Sequence, residues 1–203
     1  MFDEKLNKKQ IISIFALIIV FSGFFGWFYE IIFYFFNSGM KTWYMRGSNF
    51  LPWINIYAYG SLLIFFLTYK IRKHPFLVFL ISAISTGILE FFSGYILYGK
   101  LGWTKCWDYN QEILNFGNIG GYVCLRSVLV FGLCGLMLIY IIVPILLKLV
   151  KSKYQNIIFV VSVVLCSIVL IDEIYNLMIS RILGLPRARD IYMKLGFKYI
   201  YFD

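Results

Sequence analysis

The sequence predicts an all-α membrane protein: a polytopic bundle of about five transmembrane helices, with a longer irregular third loop and a short amphipathic C-terminal tail. Three observations carry this. Of 203 residues, 61% are hydrophobic and 21% aromatic while only 14% are charged, against roughly 45–50% apolar and about 25% charged in an ordinary soluble domain. Apolar runs long enough for the about 20 helical residues that a bilayer demands occur at 11–36, 50–70, 75–98, 128–150 and 156–183. Basic residues gather at the ends of those runs, as juxtamembrane residues do. The longest polar stretch is 99–127, too short for a soluble domain, so residues 1–203 are expected to form one integral membrane domain.

The first run follows a polar start, "MFDEKLNKKQ". It exceeds the roughly 7–15 residues of a signal-peptide core and has no small-residue cleavage site after it, so it is expected to stay in the mature chain. Lys5, Lys8 and Lys9, then Lys70, Arg72 and Lys73, then Lys148, Lys151 and Lys153 fall in the N-terminus and the second and fourth connections, which alternate onto one membrane face. These short basic segments place the N-terminus in the cytoplasm and the chain, multi-pass, in the plasma membrane. Lys41, Arg46, Lys100, Lys105 and Arg126 fall on the opposite side, diluted over longer segments. The net charge of +9 therefore reads as membrane topology, with the lipid bilayer rather than nucleic acid as the partner.

Several chemistries find no support. Cys134 and Cys166 lie in spans. Cys106 and Cys124 lie in the third loop without metal-ligand spacing, and His74 is the one histidine in the chain, so no metal site is expected. Cys106 and Cys124 could form a disulfide on an outer face, although cysteine is also a common apolar filler. His74, at an inner end, is removed from any outer Ser-His or Cys-His arrangement. No G-x-x-x-x-G-K-[ST] loop occurs, so ATP, if used, must be bound by another chain. No cofactor is expected.

The chemistry-bearing residues lie inside the apolar runs. Glu30 sits six residues before the outer end of the first, roughly 9 Å deep at about 1.5 Å per residue. A charge there must face protein or water and find a partner. Gly23, Gly26, Trp27, Glu30 and Tyr34 follow helical steps onto one stripe, and Ala83, Gly87, Glu90 and Gly94 repeat the device in the third span. Asp172, Asn176 and Ser180 share a face in the fifth, beside Glu173. Arg46, in the first loop, and Arg126, before the fourth span, are the cations within reach, with Arg46 the preferred partner of Glu30. Asp108 joins from the third loop, and Tyr57 and Trp107 complete the expected cluster. It reads either as interhelical staples that bind nothing or as a polar site, open to the outside, for a headgroup, solute or proton.

The stretches "GWFYE" (26–30), "RGSNFLPWINIYAYG" (46–60), "ILEFFSGYIL" (88–97), "WDYN" (107–110), "LN" (114–115) and "CL" (124–125) resemble, in order and spacing, the CmpB-type family of ABC-transporter type IV proteins. The resemblance covers residues 23 to 147 and carries over Gly26, Trp27, Glu30, Arg46, Gly47, Pro52, Ile56, Tyr57, Gly60, Glu90, Trp107, Asp108, Tyr109, Asn115, Cys124 and Leu125. Met45, Asn55, Ala58, Tyr98 and Tyr122 depart from its pattern, which marks a divergent member. It implies a permease-like multi-span subunit without an ATPase of its own, partnered by a separate ATPase or other membrane subunit. The alternatives are a membrane-embedded enzyme acting on a lipid or lipid-linked substrate, with Glu30 or Glu90 as general base, and a non-catalytic assembly partner.

Overall fold

The computed structural model describes residues 6–103 and 105–200; Lys5, used above for orientation, lies outside them. Among the described residues the regular structure is helical, apart from two isolated bridges, Met45 with Tyr199 and Ile119 with Val123. We label the helices α1 (Lys8–Asn37), α2 (Asn55–Thr68), α3 (Pro75–Lys100), α4 (Leu125–Val150), α5 (Gln155–Ile182) and α6 (Ala188–Lys194). Four of them, α1, α3, α4 and α5, are long and apolar enough to cross a membrane.

The second apolar run yields a shorter helix than its length suggests. Its α-helix spans 14 residues, about 21 Å at 1.5 Å per residue, before a 3₁₀ turn at Tyr69–Ile71. Residues 50–54 are irregular because Pro52 disfavours helical backbone at Leu51, and because the Phe50 and Leu51 N–H groups donate to the Asp172 carboxylate at 3.0 and 2.7 Å.

The chain groups into two compact units: a terminal unit from residues 6–59 and 147–200, and a central unit from residues 60–146. In the terminal unit α1 packs along α5. Asn7 and Gln10 exchange hydrogen bonds as a capping box at the start of α1. Further along, α1 holds the descending loop by its glycines. The Trp53 indole lies where a Gly23 Cβ would sit, and the Tyr57 ring lies over Gly26 in the same way. Trp53 Nε1 donates to the Ile19 carbonyl at 3.0 Å, and the Ile54 N–H donates to the Gly23 carbonyl at 3.0 Å.

In the central unit α3 packs on α4. Small residues permit the approach: Val128 meets Gly87, Phe79 meets Gly132 and Ser82 meets Gly135, the close backbone contact that apolar solvent favours. Each of α3, α4 and α5 contains a widened π turn, at Tyr95–Lys100, Leu138–Ile142 and Tyr175–Ile179. Two have identifiable causes. Pro144 lacks an N–H and crowds the Tyr140 carbonyl, so α4 widens ahead of it. In α5, Asn176 Nδ2 donates to the Asp172 carbonyl at 2.9 Å, taking the acceptor that an α-helix reserves for the Asn176 N–H.

The C-terminal tail is partly buried. Ala188, Arg189 and Tyr199 are buried, because the tail folds back on the first loop. Met45 N–H donates to the Lys198 carbonyl at 2.8 Å, Tyr192 Oη donates to the Phe50 carbonyl at 2.9 Å, and Ala188 N–H donates to Asn176 Oδ1 at 2.7 Å. Leu195 and Phe197 stay exposed.

Candidate functional site: two buried polar clusters

Each unit holds some of the residues of the expected cluster, and each is described by itself. In the terminal unit Arg46 Nε donates to Glu30 Oε2 at 2.8 Å, with side chains 6% and 16% exposed. The guanidinium lies 3.8 Å from the centroid of the Tyr34 ring. Tyr34 is one turn beyond Glu30 on the same face of α1, so a single helix supplies both the counter-charge and the stacking surface. Tyr57 fills the Gly26 notch and edges the Tyr29 ring.

Asp172 serves as a clasp for the first loop. One oxygen accepts the Phe50 N–H and Asn176 Nδ2, the other the Leu51 N–H. Its neighbour Glu173, turned about 100° around α5, accepts Asn55 Nδ2 at 2.8 Å and Tyr59 Oη at 2.7 Å. The partners Asn55 and Tyr59 lie one turn apart on α2. That pairing was not legible from spacing alone, because nothing in the sequence says which helices adjoin.

In the central unit the centre is Glu90, 5% exposed in the middle of an apolar helix. Tyr109 Oη donates to its Oε1 at 2.5 Å and Ser127 Oγ to its Oε2 at 2.8 Å. Arg126 Nη2 donates to Glu112 Oε2 at 2.8 Å, with side chains 11% and 2% exposed. The Arg126 guanidinium lies 5.3 Å from the Tyr109 ring centroid. Tyr109 thus meets a carboxylate with its hydroxyl and a cation with its face. Glu112 and Ser127 join this cluster without being singled out by the sequence, whereas Tyr109 is among the residues carried over by the family resemblance. Glu112 stands in an irregular loop, and no periodicity relates it to Arg126.

Trp107 and Asp108 shape the loop that delivers Tyr109. Trp107 Nε1 donates to the Tyr122 carbonyl at 3.0 Å, and its ring packs over Gly94. Asp108 accepts the Asn110 N–H at 3.0 Å, capping the 3₁₀ turn Tyr109–Gln111, and takes Lys105 Nζ at 2.7 Å. Both carboxylate and amide crowd the position where a Gly121 Cβ would stand; with φ at +79°, that residue must be glycine. Cys106 and Cys124 are free thiols, the second buried at the start of α4.

Burial, followed by the negative charges of Glu90 and Glu112, holds the Tyr109 hydroxyl well above the usual value of 10.0. A folded-state value above the unfolded one means that this contribution to stability is intact below about pH 10 and is lost as pH rises toward the folded value. In melting curves in detergent between pH 8 and 11, the wild type is expected to lose stability more steeply than Tyr109→Phe. Parallel curves would show that another group titrates.

These features define an all-helical, multi-pass membrane protein with several buried carboxylates. A family profile described as Putative ABC-transporter type IV matches residues 17–177, and the chain belongs to this CmpB-type family. The match runs from Leu17 in α1 to Leu177 in α5, so it includes both clusters, while the tail lies beyond it. No curated protein and no solved structure matches the chain.

Proposed function

We propose that the chain is a permease-type subunit of a membrane transport system, without an ATPase of its own and paired with a separate nucleotide-binding chain. In this reading the 203 residues make one membrane domain in the plasma membrane, N-terminus cytoplasmic. Helix α2 is the fifth crossing: with its 3₁₀ turn it extends about 27 Å, close to the roughly 30 Å of hydrocarbon. Glu30, Arg46, Tyr57 and Asp172, and Glu90, Trp107, Asp108 and Arg126, form polar sites in the outer half of the bilayer. The observation that carries the reading is Glu90. A carboxylate 5% exposed within an apolar helix is costly, and such residues usually mark solute or proton pathways.

A second reading, a non-catalytic assembly partner, is favoured by the protein partners that meet Glu30, Glu112, Asp172 and Glu173. One experiment separates them. The tagged chain, purified in mild detergent from its own membranes, is expected to bring an ATPase chain in fixed ratio. Expressed alone, it should hydrolyse no ATP. Glu90→Gln should leave that complex assembled but abolish substrate-stimulated hydrolysis. Unchanged stimulation in the variant would favour the assembly partner, and hydrolysis by the lone chain would reject the proposal.

A further inference from the structure

The third loop is built inside out for water. Between Gln111 and Cys124, the apolar side chains Ile113, Leu114, Phe116 and Ile119 are exposed, while the Asn115 and Asn118 amides are engaged in hydrogen bonds within the loop. Asn115 Nδ2 donates to the Tyr109 carbonyl at 2.9 Å, Asn118 Nδ2 donates to Asn110 Oδ1 at 2.7 Å, and Asn118 Oδ1 accepts the Gly121 N–H at 2.9 Å. Two backbone bonds add to these, Leu125 N–H on the Phe116 carbonyl and Ile119 N–H on the Val123 carbonyl. Leu114, 65% exposed, also holds φ at +53°. A branched side chain in that left-handed region pays a steric penalty that Gly or Asn would avoid. Among the described residues the other non-glycine with positive φ is Met40, at +61° and 63% exposed.

The exposed face also has a neighbour that identifies its solvent. Gly117 packs directly on the Leu125 Cβ, and Leu125, Leu129 and Leu133, at four-residue steps, are exposed along α4. On a membrane-crossing helix that stripe faces lipid. The loop apolar residues continue it past the end of the helix. The Arg126–Glu112 ion pair fixes the base of the loop to the first turn of α4.

We infer that residues 113–119 are a lipid-inserted wedge, seated in the boundary between headgroups and acyl chains of the leaflet at the N-terminal end of α4. Interfacial segments bury an apolar face about 5–10 Å into that boundary. At that boundary water and headgroups still reach the backbone, so the loop need not pair every N–H group as it would inside the hydrocarbon.

The test uses the full chain in phosphatidylcholine vesicles, with the exposed Cys106 replaced by serine and one cysteine introduced at Leu114, Ile119 or the exposed connection residue Lys151. Each is labelled with an environment-sensitive fluorophore, and the Cys106→Ser protein labelled alone supplies the blank. Lipids brominated on their acyl chains are expected to quench the labels at 114 and 119 several-fold more than at 151, and aqueous iodide to show the opposite order. Iodide quenching at 114 equal to that at 151 would overturn the inference. So would protection from both quenchers with cross-linking between copies at 114 and 119, which would make the face a contact with a second copy of the chain. A separate check is Leu114→Asp, which should increase iodide quenching at 119; no change would likewise count against insertion.

Discussion

Glu30→Gln and Arg46→Gln are each expected to destabilise the protein by about 3–5 kcal/mol, because either change leaves the partner of a buried ion pair uncompensated. The pair is 2.8 Å long with both side chains largely shielded, so solvent screening of the kind that weakens surface pairs has little purchase. The double variant should lose much less than the sum, since the second change removes the charge that the first left stranded. Arg46→Gln should be the more costly single, because it also removes the guanidinium from the Tyr34 face, a contact worth about 0.5–2 kcal/mol. Arg46→Lys should recover only part, since an ammonium neither forks nor stacks as a guanidinium does. Melting in detergent, read as a double-mutant cycle, decides the matter: additive losses would mean that the two charges do not sense one another.

Gly23→Ala is expected to cost about 3 kcal/mol, the upper part of the usual range for overpacking, although it adds one methyl group. The new Cβ would stand 2.1 Å from Trp53 Nε1. Trp53 is fully buried and bonded to the Ile19 carbonyl, so it cannot yield without giving up both. Gly60→Ala is the control. Its nearest neighbour is 3.6 Å away, ordinary contact, so the helix gain of up to about 1 kcal/mol for Ala over Gly should dominate and the sign should reverse. Equal effects at the two positions would show that the notch at Gly23 does not hold the indole.

The helices themselves could be read in advance. Runs 11–36, 75–98, 128–150 and 156–183 correspond to α1, α3, α4 and α5, because the length of an apolar run and its basic flanks are properties of consecutive residues. So is the stripe Gly23, Gly26, Glu30 and Tyr34, whose inward face follows from helical period and the cost of a charge in lipid. The run at 50–70 exceeded its helix because its first residues were claimed by Asp172, a residue 121 positions beyond Leu51. No local signal announces that bond.

The site divides along the same line. Pairing of Arg46 with Glu30 bridges 16 positions and joins a helix end to the loop that follows it, so proximity in sequence was a fair guide. Glu90 with Ser127, 37 positions apart, Glu112 with Arg126, and Glu173 with Asn55 and Tyr59 depend on which helices adjoin and how irregular loops turn. Composition and period by themselves determined that this chain meets lipid, and that Glu30, Glu90 and Asp172 must be hidden from it. Tertiary packing alone decided which partners hide Glu90, Glu112, Asp172 and Glu173, because a buried charge requires some donor within about 3 Å but does not specify from where along the chain it comes.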